Sequence, residues 1–216
     1  MKKILCYGDS NTFGYNPAFE FNPDDGLNST DGLRYDENTR WTALLQTALP
    51  EDYQIIEEGL CDRTGFVNNP KGFEFSAQRH FPKLLSKYDI IDVIILALGT
   101  NDLQSQYDIS YGAVEKGLEN LILLAREKSK DIILIPPVIL SEKILDGFFS
   151  FQFDETSIIK SRKVGKIYKK LALLYNCKLF DINKFTQPSD IDGLHYDSES
   201  HKLISDKLST FLSNLN

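Results

Sequence analysis

The sequence predicts an α/β protein, a three-layer α/β/α sandwich on a five-stranded parallel sheet. Three observations carry that prediction. Short apolar runs alternate along the chain with longer segments whose apolar residues recur every three or four positions, the patterns of strands and amphipathic helices in turn. The most apolar run, Asp92 to Leu98, lacks polar alternation, so it is buried on both faces as a central parallel strand is. The connections are long enough for crossovers, which are right-handed between parallel strands.

The first strand is Ile4-Leu5-Cys6-Tyr7, closed by the turn-forming Gly8-Asp9-Ser10-Asn11. A long polar and aromatic loop follows, Tyr15 to Asn38, carrying Asp24, Asp25, Asp31, Asp36 and Glu37; loops of that length inside a compact domain are usually functional or mobile. Trp41, Leu44, Leu45 and Ala48 then fall on one helical face, behind a cap at Asn38 or Thr39 and ahead of Pro50. Tyr53 to Glu57 is the second strand, and its loop runs through Gly59, Cys61 and Arg63. A helix over Ser76 to Lys87 leads to the Asp92–Leu98 strand, which ends at Gly99-Thr100-Asn101-Asp102. Val114, Leu118, Leu121, Ile122 and Ala125 mark the next helix, Ile132 to Ile135 the fourth strand, and Val164, Ile167, Tyr168, Leu171 and Tyr175 another helical stripe. Lys178 to Asp181 is the fifth strand. A polar stretch through Asp192-Gly193-Leu194-His195 leads to a last helix with Ile204, Leu208, Phe211, Leu212 and Leu215 on one face. A flavodoxin-like order, 2-1-3-4-5, sets the ends of the first three strands side by side, so Ser10, Gly59 and Asn101 should converge.

The bulk properties narrow the class of function. The 216 residues suit one domain over 1–216, and 42% hydrophobic with 25% charged residues is the composition of a globular protein. A net charge of -7, with no cluster of Lys and Arg, speaks against nucleic acid or an anionic membrane as partner. Cys6, Cys61 and Cys177 form no disulfide or zinc pattern, and reduced thiols fit a cytoplasmic setting. Lys2-Lys3 precedes only four apolar residues, too few for a secretory signal, and no run approaches a membrane span.

The chemistry lies at the strand ends. A serine hydroxyl becomes a nucleophile when a base takes its proton, and the base needs a third group to fix its tautomer. Asp192 and His195 are close enough in sequence for the carboxylate to reach the imidazole if the segment turns. Ser10, His195 and Asp192 are therefore the candidate nucleophile, base and orienter. The Ser10 and Gly59 backbone N–H groups and the Asn101 side-chain amide are candidate donors to an oxyanion. Each residue also has an ordinary reading: Gly8-Asp9-Ser10 as turn and helix cap, Gly59 as a turn residue, Asn101-Asp102 as a cap, His195 as a surface loop histidine and Asp192 as a turn former.

The four blocks Gly8-Asp9-Ser10, Gly59, Gly99-Thr100-Asn101-Asp102 and Asp192-Gly193-Leu194-His195 together resemble the SGNH or GDSL-type esterases and lipases. Arg40-Trp41 and Glu57-Glu58-Gly59-Leu60, with Arg63-Thr64, look most like the bacterial arylesterase and acyltransferase branch. The resemblance implies Ser10 as nucleophile, Gly59 and Asn101 as oxyanion donors, Asp192 with His195 completing the triad, and neither metal nor organic cofactor. The chain departs from the family in having Asn11 where leucine is usual and Cys61 where the arylesterase branch often has serine, changes expected to alter pocket polarity.

Asn11, Trp41, Cys61, Phe148, Phe149 and Phe151 are the candidate substrate-pocket residues. The alternating Phe148, Phe149, Phe151 and Phe153 fit an edge strand, an acyl pocket or the contact of a homo-oligomer. Cys61 reads as a small, partly buried cysteine, Asp9 as an acceptor of backbone hydrogen bonds in its turn, and His80 and His201 as solvent-facing or helix-capping. Two readings of the whole remain: a serine esterase acting on a small-molecule ester or thioester, or a non-catalytic, anion-binding doubly wound domain with Gly8 to Thr12 around the anion. The absence of a Gly-x-Gly-x-x-Gly or Walker pattern after the first strand weakens the second.

Overall fold

The computed structural model describes residues 1–20 and 32–214 of the chain. Asp24, Asp25 and Asp31 of the long loop, and Leu215 at the end of the last helix, lie outside the described residues. β1 (Lys2–Gly8), β2 (Tyr53–Gly59), β3 (Val93–Ala97), β4 (Asp131–Ile135) and β5 (Lys178–Leu179) form one parallel sheet in the order β2-β1-β3-β4-β5. This is the topology expected from the sequence. β1 and β3 are interior, which is why Ile4, Leu5, Ile94 and Ile95 are wholly buried and their runs lack polar alternation. In register, Gly8 stands between Gly59 and Ala97, so the first three strands end abreast.

The helices are α1 (Ser10–Phe13), α2 (Trp41–Ala48), α3 (Ala77–Leu85), α4 (Tyr111–Arg126), α5 (Glu155–Leu174) and α6 (Ser198–Ser213). α5 begins well before its apolar stripe. Asp154 closes a capping box with Ser157, and the first turns point Ser157 and Ser161 inward, where their hydroxyls bond the Leu103 carbonyl and the Leu140 N–H. Buried serines hide the apolar period there. β5 is half the expected length; Phe180 N–H still donates to the Leu134 carbonyl, but the chain then turns into a single 3-10 turn at Ile182–Lys184. No helix among the described residues is long and apolar enough to cross a membrane.

The caps of α2 correct two expectations. Neither Asn38 nor Thr39 caps it; Arg40 holds the N-cap position without a side-chain bond. The Trp41 N–H donates instead to His201 Nδ1 at 3.2 Å, from α6. His201 therefore does cap a helix, though it is wholly buried rather than solvent-facing. His80 is half-buried, with Nδ1 paired to the Tyr7 hydroxyl at 3.1 Å.

Because Nδ1 of His201 must accept, a second proton there would break the α2 cap and bury a cation. Burial accordingly lowers the His201 pKa from its ordinary 6.5 to about 4, overriding the pull of Asp197. The unfolded chain binds this proton at higher pH than the native one, so the contribution to stability falls as pH drops through that window. Asp102 works the other way, since burial raises its pKa to about 6 and its contribution grows as pH falls below that. The expected result is that His201→Gln, compared with the parent by urea unfolding at pH 7 and pH 5, removes about 2 kcal/mol of acid sensitivity. An identical pH dependence in the two proteins would show that His201 does not titrate in this way.

Candidate active site

Ser10 opens α1, one residue after the N-cap Asp9, whose Oδ1 accepts the Asn11 N–H at 3.1 Å. A carboxylate therefore already occupies this helix start, which removes the ground for an anion-binding reading of Gly8 to Thr12. The hydroxyl faces His195, with Oγ 2.9 Å from Nε2, and His195 Nδ1 lies 2.6 Å from Asp192 Oδ2. The other carboxylate oxygen, Oδ1, accepts the Leu194 and His195 backbone N–H groups at 2.9 Å each.

What lets Asp192 reach an imidazole three residues on is Gly193, in the left-handed region at φ +69, where a side chain would be strained and a Cβ would meet Ile144 N and Ser141 Oγ at 2.7 Å. Burial pushes the Asp192 carboxyl up, but the hydrogen bonds and attraction from His195, with the Leu194 N–H, outweigh it and hold the group below its ordinary value. It is thus the charged partner of the imidazole near neutral pH.

Gly59 ends β2 against α1. A Cβ there would lie 2.2 Å from Phe13 N, so only glycine lets the nucleophile's turn pack so closely on the second strand. Asn101 lies in a single 3-10 turn, Asn101–Leu103, after β3. Its Nδ2 donates to the Arg63 carbonyl at 3.1 Å and its Oδ1 accepts from Gln104 Nε2 at 3.2 Å. Asp102 does not cap its own turn; it accepts the Gly65, Phe66 and Val67 N–H groups at 2.6, 2.7 and 2.9 Å, fastening the third strand's end to the loop after the second.

The six pocket candidates divide. Asn11 acts as a clamp: Nδ2 donates to the Leu194 carbonyl at 3.3 Å and Oδ1 accepts the Tyr196 N–H at 3.1 Å, gripping the chain on both sides of His195. Its polarity serves that grip, since leucine offers neither bond. Trp41 is core, 2% exposed, with Nε1 bonded to the Asn11 carbonyl at 3.0 Å. Phe149 does reach the site, its ring centroid 5.3 Å from that of His195. Phe148 and Phe151 are 76% and 68% exposed.

The aromatic segment is a 3-10 turn, Phe148–Phe151, and not an edge strand, because the chain must coil into the α5 cap; Phe153 is buried beneath it. Cys61 is half-buried, and burial, with Asp62 and Asp9 nearby, pushes its thiol up to about 12, so it stays protonated near neutral pH.

Tyr15 was not singled out by the sequence beyond its place at the start of a loop. Its ring lies on the imidazole, centroids 4.1 Å apart at 30°, and touches Phe149 edge-on at 6.1 Å. The two rings thus cover the imidazole and help fix its orientation. Among the described residues no three His, Cys, Asp or Glu side chains converge to hold a metal ion.

No curated protein matches the chain. Solved structures do. Est24, a carbohydrate acetylesterase from Sinorhizobium meliloti, is 25% identical with a TM-score of 0.87, each chain covered over 100%. A carbohydrate acetylesterase family member from the same organism is 29% identical, with a TM-score of 0.82, over 98% of this chain and 97% of that one. The M. smegmatis aryl esterase, 24% identical over 100% of each chain with a TM-score of 0.87, shares the fold. The family model for GDSL-like lipases and acylhydrolases matches residues 6–203, a span that takes in Ser10, Gly59, Asn101, Asp192 and His195. The chain belongs to the GDSL-like Lipase/Acylhydrolase family.

Proposed function

We propose that the protein is a serine esterase that cleaves small carboxylic esters or thioesters through an acyl-enzyme on Ser10. One observation carries the reading: the unbroken relay Asp192–His195–Ser10, at 2.6 and 2.9 Å, built from residues 185 positions apart. His195 Nε2 takes the hydroxyl proton as Oγ attacks the carbonyl carbon. Asp192 holds the imidazole and steadies its positive charge. The carbonyl oxygen becomes an oxyanion facing the Ser10 N–H and Asn101 Nδ2, while the Gly59 N–H, opposite Gly8 in the ladder, points to the outer edge of the sheet. His195 then gives the proton to the leaving alcohol or thiol, and water, activated by the same base, releases the acid. An alcohol in place of water gives acyl transfer.

The acetylesterase neighbours favour a short acyl group. Three free cysteines fit a cytoplasmic setting. The exposed Phe148 and Phe151 fit a contact with a second copy of the chain, and an acidic surface fits neither nucleic acid nor membrane.

The test is incubation with a small activated aryl ester and, separately, with an organophosphorus serine probe, followed by mass spectrometry of the digested protein. The expected result is hydrolysis and a single adduct on Ser10. An unlabelled Ser10 in a folded protein that leaves esters intact would remove the reading.

A further inference from the structure

Asn11 follows the nucleophile directly and is buried. Its main chain belongs to the nucleophile's own turn, where the N–H donates to Asp9 Oδ1 at 3.1 Å and the carbonyl accepts Trp41 Nε1 at 3.0 Å. Its side chain crosses to the base. Nδ2 and Oδ1 hold the Leu194 carbonyl and the Tyr196 N–H, which belong to the two peptides flanking His195.

Each of those peptides is also held at its other end. The His195 N–H, coplanar with the Leu194 carbonyl, donates to Asp192 Oδ1 at 2.9 Å, and the His195 carbonyl, coplanar with the Tyr196 N–H, accepts the Ser189 N–H at 2.7 Å. With the Gly193 N–H on the Ser189 carbonyl at 2.8 Å, these bonds are internal to the loop that carries the base. They fix its shape, not its place relative to Ser10. The Ser141 N–H on the Gly193 carbonyl, at 3.1 Å, ties the loop to a different segment. Among the described residues, the hydrogen bonds between Ser10–Gly14 and this loop are the Ser10–His195 contact and the two from Asn11.

We propose that Asn11 is a positioning residue of the relay, its amide setting His195 Nε2 against Ser10 Oγ by holding the main chain on both sides of the base. The inference rests on the esterase reading. The direct contact between hydroxyl and imidazole cannot do this alone, because it changes as Oγ bonds the carbonyl carbon and the proton passes to Nε2. The imidazolium must then stay in place to protonate the leaving group. The Asn11 bonds are the same before and after, so their benefit falls on the chemical steps and not on substrate binding. A brace with no further role would affect stability and leave turnover per folded molecule unchanged.

Asn11→Leu and Asn11→Asp are compared with the parent for kcat and KM on a small activated aryl ester, thermal midpoint, and rate of Ser10 labelling by the organophosphorus probe. Asn11→Leu, close in size but without polar groups, is expected to lose about thirty- to a hundred-fold in kcat with KM within a few-fold, the labelling rate falling in step. In a His195→Ala background the same change is expected to cost less than about threefold, since no base is left to position.

Asn11→Asp separates positioning from packing. Protonated, the introduced carboxyl has the shape of the amide and can donate to the Leu194 carbonyl; ionised, it sets an oxygen against that carbonyl and repels it. Burial opposite a carbonyl lets it keep its proton to a higher pH than an ordinary carboxyl. The variant-to-parent ratio of kcat, measured on folded protein between about pH 5 and pH 8.5, is therefore expected to fall about tenfold as pH rises.

Folded Asn11→Leu with parental kcat, a loss confined to KM, or an equal loss with and without His195 overturns the proposal. If Asn11→Leu does not fold, Asn11→Asp decides: a ratio that falls with pH supports it, and a flat ratio overturns it. A parent that neither hydrolyses esters nor labels at Ser10 overturns the esterase reading itself. An active parent with indifferent variants overturns only the role of Asn11.

Discussion

Ser10→Ala is expected to lower turnover of an activated aryl ester by about 10⁴-fold or more and to abolish labelling by the organophosphorus probe, with the protein still folded. The size follows from the way the group works. Without the hydroxyl there is no acyl-enzyme, and the single difficult attack on the ester falls to water, which His195 and the oxyanion donors assist only weakly. Folding should survive because the lost hydroxyl's partner is one imidazole nitrogen, His195 Nε2. An unpartnered buried nitrogen costs about 1–3 kcal/mol, enough to lower the melting point by several degrees.

His195→Ala belongs to the same expectation. It removes the base and leaves Asp192 with its two backbone N–H bonds but without the imidazole, so the carboxyl rises from its depressed value toward the usual range. Because nucleophile and base act as a unit, the double variant should be scarcely slower than either single one. A Ser10→Ala protein that keeps more than roughly one per cent of parental turnover would show that the reaction does not pass through this hydroxyl.

The sheet and the triad were legible in the sequence for different reasons. Runs such as Val93–Ala97 announce burial on both faces, and once β1, β2 and β3 are placed in their order, Gly8, Gly59 and Ala97 must end abreast whatever the side chains do. That topology sets the segments carrying Ser10, Gly59 and Asn101 side by side. The details that were not legible all depend on contacts between distant segments. Nothing local to Asn11 says that its amide will brace the chain around His195, or that Trp41 will bond its carbonyl. The α2 cap comes from α6, across 160 residues, and the first turns of α5 hide behind inward-facing serines. The ring of Tyr15 meets His195 across most of the length of the chain, a contact that nothing local to Tyr15 announces. Phe149, Phe151 and Phe153 alternate like strand residues, yet the Asp154 cap that follows fixes the backbone as a turn.

Asn101→Ala is expected to reduce kcat by about a hundred- to a thousand-fold while KM changes by no more than a few-fold. The amide is well placed to act on charge rather than on substrate. Gln104 Nε2 donates to its oxygen, which polarises the amide, and the Arg63 carbonyl takes one of its hydrogens, which holds the remaining N–H still. In the ground state a carbonyl oxygen gains little from such a donor. In the tetrahedral intermediate the oxygen is anionic, and the same bond roughly doubles in strength in a site that excludes water. Loss of the side chain leaves the Arg63 carbonyl and Gln104 Nε2 short of a partner, with a stability cost of about 1–3 kcal/mol that thermal unfolding will register separately from turnover. Asn101→Asp should be worse than alanine at neutral pH, because a carboxylate there repels the oxyanion and also faces the Arg63 carbonyl. A folded Asn101→Ala enzyme within a few-fold of parental kcat would remove this amide from the oxyanion site.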